Sequence, residues 1–187
     1  GSDGSNDAGK VLLGVYERAA TGSESGNQTV TLTGGTADVM AGRMIAFHTT
    51  VGWDTTVAIT KALDAGGTTA VSWGFASDIG LTTSDLAICI ACLNTDNYTI
   101  SAQALTGAGI TATYASKFNT AVALGTAIRY ILGVNTIDTG PSSGAQTLAL
   151  TASGSAANAP AGPGAIIRLR ESSGSSGKRL LQRHYEG

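Results

Sequence analysis

The sequence predicts an all-β protein, an antiparallel β-sandwich of jelly-roll-like type, on three observations. Short runs rich in Thr, Val, Ile and Ala alternate in polarity, which fits a pleated sheet with one covered face. Gly-rich turns separate these runs, and no stretch has the spacing of a long amphipathic helix. Finally, the chain nearly repeats itself. Leu13-Gly14-Val15, Thr21-Gly22, Ser25-Gly26, Gln28-Thr29 and Leu32-Thr33 return as Leu132-Gly133-Val134, Thr139-Gly140, Ser143-Gly144, Gln146-Thr147 and Leu150-Thr151. A recurring strand, turn and strand is what a layered β-architecture produces.

Residues 1–9 form a loose Gly/Ser/Asp/Asn start, and residues 10–171 carry the sandwich. Val11 to Ala19 reads as its first strand. Gln28 to Thr33 follows a polar turn, with Val30 and Leu32 inward and the threonines outward. Arg43 to Thr49 reads as the next strand, Ile45 and Phe47 on its buried face and Met44, Ala46 and His48 on the other. Thr56 to Leu63 and Thr68 to Ala76 flank Asp64-Ala65-Gly66-Gly67, which has the composition of a hairpin turn. Asp85 to Leu93 is the most apolar run and is predicted to be central.

Asn94-Thr95-Asp96-Asn97 brings Asx-turn chemistry before a strand over Tyr98 to Leu105. Strands over Ile110 to Phe118, Ala127 to Val134, Thr147 to Ala152 and Ala165 to Arg170 complete the set, although Ala121, Ala123, Ala127 and Ile128 also permit a helical turn. The repeat is compatible with one complete module plus strands of a preceding one, and equally with a single sandwich of two related halves. Residues 172–177 are a Gly/Ser linker, and residues 178–187 are a basic tail in which Lys178, Arg179 and Arg183 are docking candidates.

Composition narrows the function. Charged residues are 13% of the chain, against about 25% in an average soluble domain. Such a surface invites coverage by other chains, so a homo-oligomer is expected. A net charge of -2 gives no basis for nucleic-acid binding, and no run of apolar residues is long enough for a membrane helix. Cys89 and Cys92 have the spacing of a redox pair but sit in a strand, where residues three apart face opposite ways, so they read as apolar fillers. No second cysteine pair completes a zinc site, and no metal or other cofactor is expected.

Catalysis lacks a recognisable constellation, and the chain is read as non-enzymatic. Asp54, Asp64, Asp78, Asp85 and Asp96 each lie beside a predicted turn, where carboxylates commonly bond local backbone. His48 has no Ser or Cys signature beside it, and Gly22-Ser23-Glu24-Ser25-Gly26 differs from a nucleophile elbow at the residue that would attack. Arg43, Arg129, Arg168 and Arg170 read as pairing or interface residues. Trp53, Asp54, Trp73, Tyr98 and Tyr114 are candidates for ligand or interface contacts, since aromatic rings at loop ends can stack on sugars. Core or module-junction packing is the competing reading of those rings.

One stretch carries a resemblance. Arg18-Ala19-Ala20-Thr21-Gly22-Ser23-Glu24, running into Thr29-Val30-Thr31-Leu32, resembles β-rich virion proteins of tailed bacteriophages, which carry an Arg-x-Ala-Thr-Gly-x-Glu turn before such a strand. Gly164-Ala165-Ile166-Ile167-Arg168-Leu169-Arg170 matches their Arg-rich closing strand. The second copy, Gly140-Pro141-Ser142-Ser143-Gly144, lacks the glutamate. The resemblance implies a tail, fibre, baseplate or capsid-surface component of the extracellular particle. Its partners would be copies of itself and other virion proteins, with a host-surface glycan as a further candidate.

Overall fold

A computed structural model of the chain describes residues 13–17, 22, 29, 31, 42–49, 52–62, 70–93, 98–122, 128–154 and 162–172. Eight strands carry the described fold, β1 (Trp53–Ala62), β2 (Ala70–Phe75), β3 (Leu86–Leu93), β4 (Tyr98–Gly107), β5 (Thr111–Val122), β6 (Ile128–Thr139), β7 (Gln146–Gly154) and β8 (Gly162–Glu171). They form two antiparallel sheets, a five-stranded one ordered β1-β8-β3-β6-β5 and a three-stranded one ordered β2-β7-β4. No helix occurs among the described residues. The apolar β3 is central in the larger sheet, as its composition predicts.

Alternation accounts for the layer between the sheets. Val71, Trp73 and Phe75 from β2 and Leu148 and Leu150 from β7 meet Ala87, Cys89, Leu93, Ile131 and Ile166 from the larger sheet. Trp73 is fully enclosed, and its indole Nε1 donates to the Gly162 carbonyl at 2.9 Å. Gly164 makes that seat possible, because a Cβ there would stand 2.6 Å from Trp73 Cδ1. The free thiols of Cys89 and Cys92 are both buried, Cys89 facing this core and Cys92 the opposite side. Burial pushes Cys89 up to about 12 and Cys92 up to about 11, so neither is a poised thiolate.

Three features depart from the sequence reading. Turns that look local join strands of different sheets, since β1 pairs with β8 and β2 with β7, so the segment around Asp64 to Gly67 does not close a hairpin ladder. Those turn residues themselves lie outside the described ones. Among the described strands, only β5 and β6 are sequence neighbours that share a ladder. Residues 13–17 and 42–49 adopt no strand, although the latter segment does turn Ile45 and Phe47 inward and leaves Met44, Ala46 and His48 exposed. Leu13-Gly14-Val15 thus lacks the strand that its counterpart Leu132-Gly133-Val134 forms in β6, while the expected strand over Gln28 to Thr33, counterpart of Gln146 to Thr151 in β7, lies largely outside the described residues.

Candidate functional site

The larger sheet is apolar on both faces. Its outer side carries Leu86 and Ile88 from β3, Leu132 and Val134 from β6, and Ile167 and Leu169 from β8, all buried. The ladder puts them in rows, Leu86 beside Leu169 and Ile88 between Ile167 and Val134. A bulge between Ser116 and Phe118 in β5 adds one residue at Lys117 and brings Phe118 opposite Leu132 on this face. An antiparallel sheet of a two-layer sandwich normally turns polar residues outward. Here the outer rows need a cover of their own.

Residues 42–49 supply it. Ile45 and Phe47 pack on the apolar rows, and Phe47 meets the Trp53 ring edge-on with centroids 6.3 Å apart. At one end Arg43 lies 5.0 Å over the Phe118 ring and its Nε donates to the Tyr130 hydroxyl at 3.1 Å. At the other end the Thr49 hydroxyl donates to Glu171 Oε1 at 3.1 Å. The strap thus runs from β5 and β6 to the β1 and β8 edge. Seven extended residues reach about 20 Å, matching the roughly 19 Å width of five strands. Glu17 accepts from the Thr55 hydroxyl of β1 at 3.1 Å, which places that segment's end on the same side. The large apolar side chains left exposed among the described residues are Val15 and Tyr16 (88%) in residues 13–17 and Met44 (75%) in the strap.

A polar cluster fixes one end of the sandwich. Asp85 is buried and accepts from the Thr82 amide at 2.7 Å and from Arg170 Nε and Nη2 at 2.7 Å each. The hydrogen bond from Arg170 to Asp85 holds that guanidinium's pKa up. Arg170 and Arg168 also donate to the carbonyls of Gly80 and Ile79, and Arg168 Nη2 pairs with Asp54 at 3.1 Å. Asp78 accepts from Ser142, the Gly80 amide and Gln146, and these bonds hold its carboxyl below the ordinary range. The loop between β2 and β3 is thereby tied to β8 and to the β6–β7 connection. A shallow concavity of about 340 Å³ lies beside it, lined by Asp54, Arg170, Glu171 and Ser172.

Trp53, Trp73 and Tyr114 form no common solvent-facing platform. Trp73 is core, and Tyr114 faces the interior with its ring over Gly133 and its hydroxyl buried without a hydrogen-bond partner. Burial pushes the Tyr114 phenol pKa up. Trp53 and Asp54 are successive on β1 and point to opposite faces. Tyr98 opens β4 opposite Gly154. Lys178, Arg179 and Arg183 lie outside the described residues. Among the described residues, no group of three or more His, Cys, Asp or Glu side chains could hold a metal ion.

Sequence reasoning found the buried pair Ile45 and Phe47 but missed the continuous apolar rows beneath them. Their signal is the absence of alternation in Leu86-Ala87-Ile88-Cys89-Ile90-Ala91-Cys92-Leu93, which marks a strand covered on both faces. Comparison of the chain with protein-family models, with curated proteins and with solved structures finds no match.

Proposed function

We propose that the chain is a non-enzymatic structural component of a virus particle, a jelly-roll sandwich that assembles with copies of itself and with other particle proteins. The interface in this reading is the outer side of the five-stranded sheet with its covering segments. The observation that carries it is the position of the exposed apolar residues: Met44 lies on the segment that covers the apolar sheet face, and Val15 and Tyr16 directly precede Glu17, which accepts from Thr55 on the β1 edge of the same sheet. Solvent-exposed apolar groups gathered on one side are the usual mark of a contact surface. About ten residues along five strands span roughly 19 by 33 Å, or about 600 Å², comparable to the roughly 800 Å² per partner of a standard interface.

The topology supports the jelly-roll reading. Pairings of β1 with β8, β2 with β7 and β3 with β6 are nested, as when one long hairpin wraps on itself. β5 departs from the ideal by pairing with β6 while its seam with β4 is laced by side chains, Asn119 Nδ2 donating to the Ile100 carbonyl at 3.0 Å. An edge occupied in this way is a poor template for another chain's strand, which favours faces over edges. The resemblance of Arg18 to Leu32 and of Gly164 to Arg170 to virion proteins supplies the biological setting. Sugar recognition needs rings open to solvent, and Trp73, Tyr114 and the edge-on Trp53 favour packing instead.

Sedimentation velocity of the full chain tests the proposal. The expected result is one discrete oligomer that shifts to monomer in Tyr16→Asp/Met44→Asp with the strand signature intact. A wild-type chain that stays monomeric at about 100 µM, where even weak specific contacts populate, would overturn it.

A further inference from the structure

We propose that residues 42–49 are an exchangeable strap, so that in the assembled state each copy's strap closes the apolar sheet face of a neighbouring copy. The inference rests on the assembly reading above and names the element that does the joining.

The strap's described anchors are side-chain contacts, with no ladder pairing to the sheet beneath. A strand is tied to its sheet by ladder bonds at successive residues. This segment is tied by Ile45 and Phe47 in apolar rows and by Arg43 and Thr49 at its ends. A second copy's identical segment can make the same contacts, which is why exchange of an identical element is a low-cost route to oligomers.

The exit point favours exchange. Gly52 has φ +90°, a backbone state that favours glycine, and its carbonyl accepts from the Ser172 amide at 3.1 Å. The chain therefore enters β1 at a pinned turn, and β1 is an edge strand of the larger sheet. A strap leaving from an edge can be redirected to an adjacent molecule without threading through its own sheet. It also has two unlike sides, Phe47 down on the sheet and Met44 up in solvent, so it can sit between two copies. Any neighbour that docks through this side must either leave the strap as a spacer or share it, and sharing keeps every apolar contact.

Photo-cross-linking of the full chain decides the point. Phe47→p-benzoyl-phenylalanine places a larger aromatic photoreactive group on the face, and Ile45→p-benzoyl-phenylalanine is the second position if the first does not fold. After irradiation, products are separated by denaturing gel and the joined peptides mapped by mass spectrometry, with sedimentation velocity of the same preparation alongside. Exchange predicts strap peptides joined to β3 or β6 peptides in bands of two or more chains. An oligomer whose strap-to-face products all run at single-chain mass would overturn exchange while leaving the assembly reading standing. A monomer giving only single-chain products would overturn both.

Discussion

Replacing Asp85 should damage the fold far more than replacing Asp54, although both carboxylates pair with an arginine of β8. The Asp85 side chain is 0% exposed and accepts two Arg170 bonds at 2.7 Å, the Thr82 amide at 2.7 Å and the Thr82 hydroxyl at 3.0 Å. Asp85→Ala strands the Thr82 amide and leaves Arg170, 34% exposed, with only part of its charge solvated. Breaking a buried pair costs about 3–5 kcal/mol, and the lower end applies because water reaches the guanidinium. At roughly 2–4 °C per kcal/mol for a chain of this size, the melting temperature should fall by about 6–12 °C. Asp54 offers one contact of 3.1 Å from a side chain 56% exposed, so Asp54→Ala should cost at most about 1 kcal/mol. Calorimetry of the two variants beside wild type provides the comparison. Equal shifts would refute the claim that burial and hydrogen-bond number, not the ion pair as such, hold this end of the sandwich.

Gly133→Ala should destabilise by about 1–3 kcal/mol, because the new Cβ overlaps the Tyr114 ring, and the loss in urea unfolding should be smaller on a Tyr114→Ala background. Cys89 and Cys92 should resist a thiol reagent at pH 8 in the native chain and react fully in denaturant. Unfolded thiols ionise from about pH 9 while the folded ones stay protonated to about 11 and 12, so the unfolded state binds fewer protons there and stability should fall as pH rises across that window. Asp78 has the opposite sign: its folded-state pKa is depressed, so its contribution is complete above its ordinary value of 3.8 and is lost as pH falls through the lower folded value. Asp78→Asn should remove that acid-side dependence in a pH series of melting curves.

What the sequence made legible was local. Period-two runs located β2, β4 and β7 closely, because threonine and branched side chains restrict the backbone and alternate in burial, and an unbroken apolar run located β3. The apolarity of Leu86 to Leu93 made its central position readable, and turn chemistry foretold that Asp78 and Asp85 would bind nearby backbone amides. Long-range pairing was not legible. Asp64-Ala65-Gly66-Gly67 has hairpin composition, yet β1 and β2 belong to different sheets, since turn residues record a reversal and not the partner. The alternation of residues 43–49 is real, but a strap pressed on a sheet buries every second residue just as a strand does. The face of Phe118 was not legible, because a bulge adds a residue to β5 without any marker in the sequence. Trp73 reads first as core and second as a ligand platform, and its seat against Gly162 and Gly164 is visible only in the fold.

Native mass spectrometry of the full chain at micromolar concentration tests the central claim most directly, that the outer side of the five-stranded sheet joins copies of this protein. A closed oligomer of single stoichiometry that dissociates when Tyr16 and Met44 become aspartate is the predicted result. A single-chain mass across the concentration range, or an oligomer indifferent to both substitutions, would contradict it.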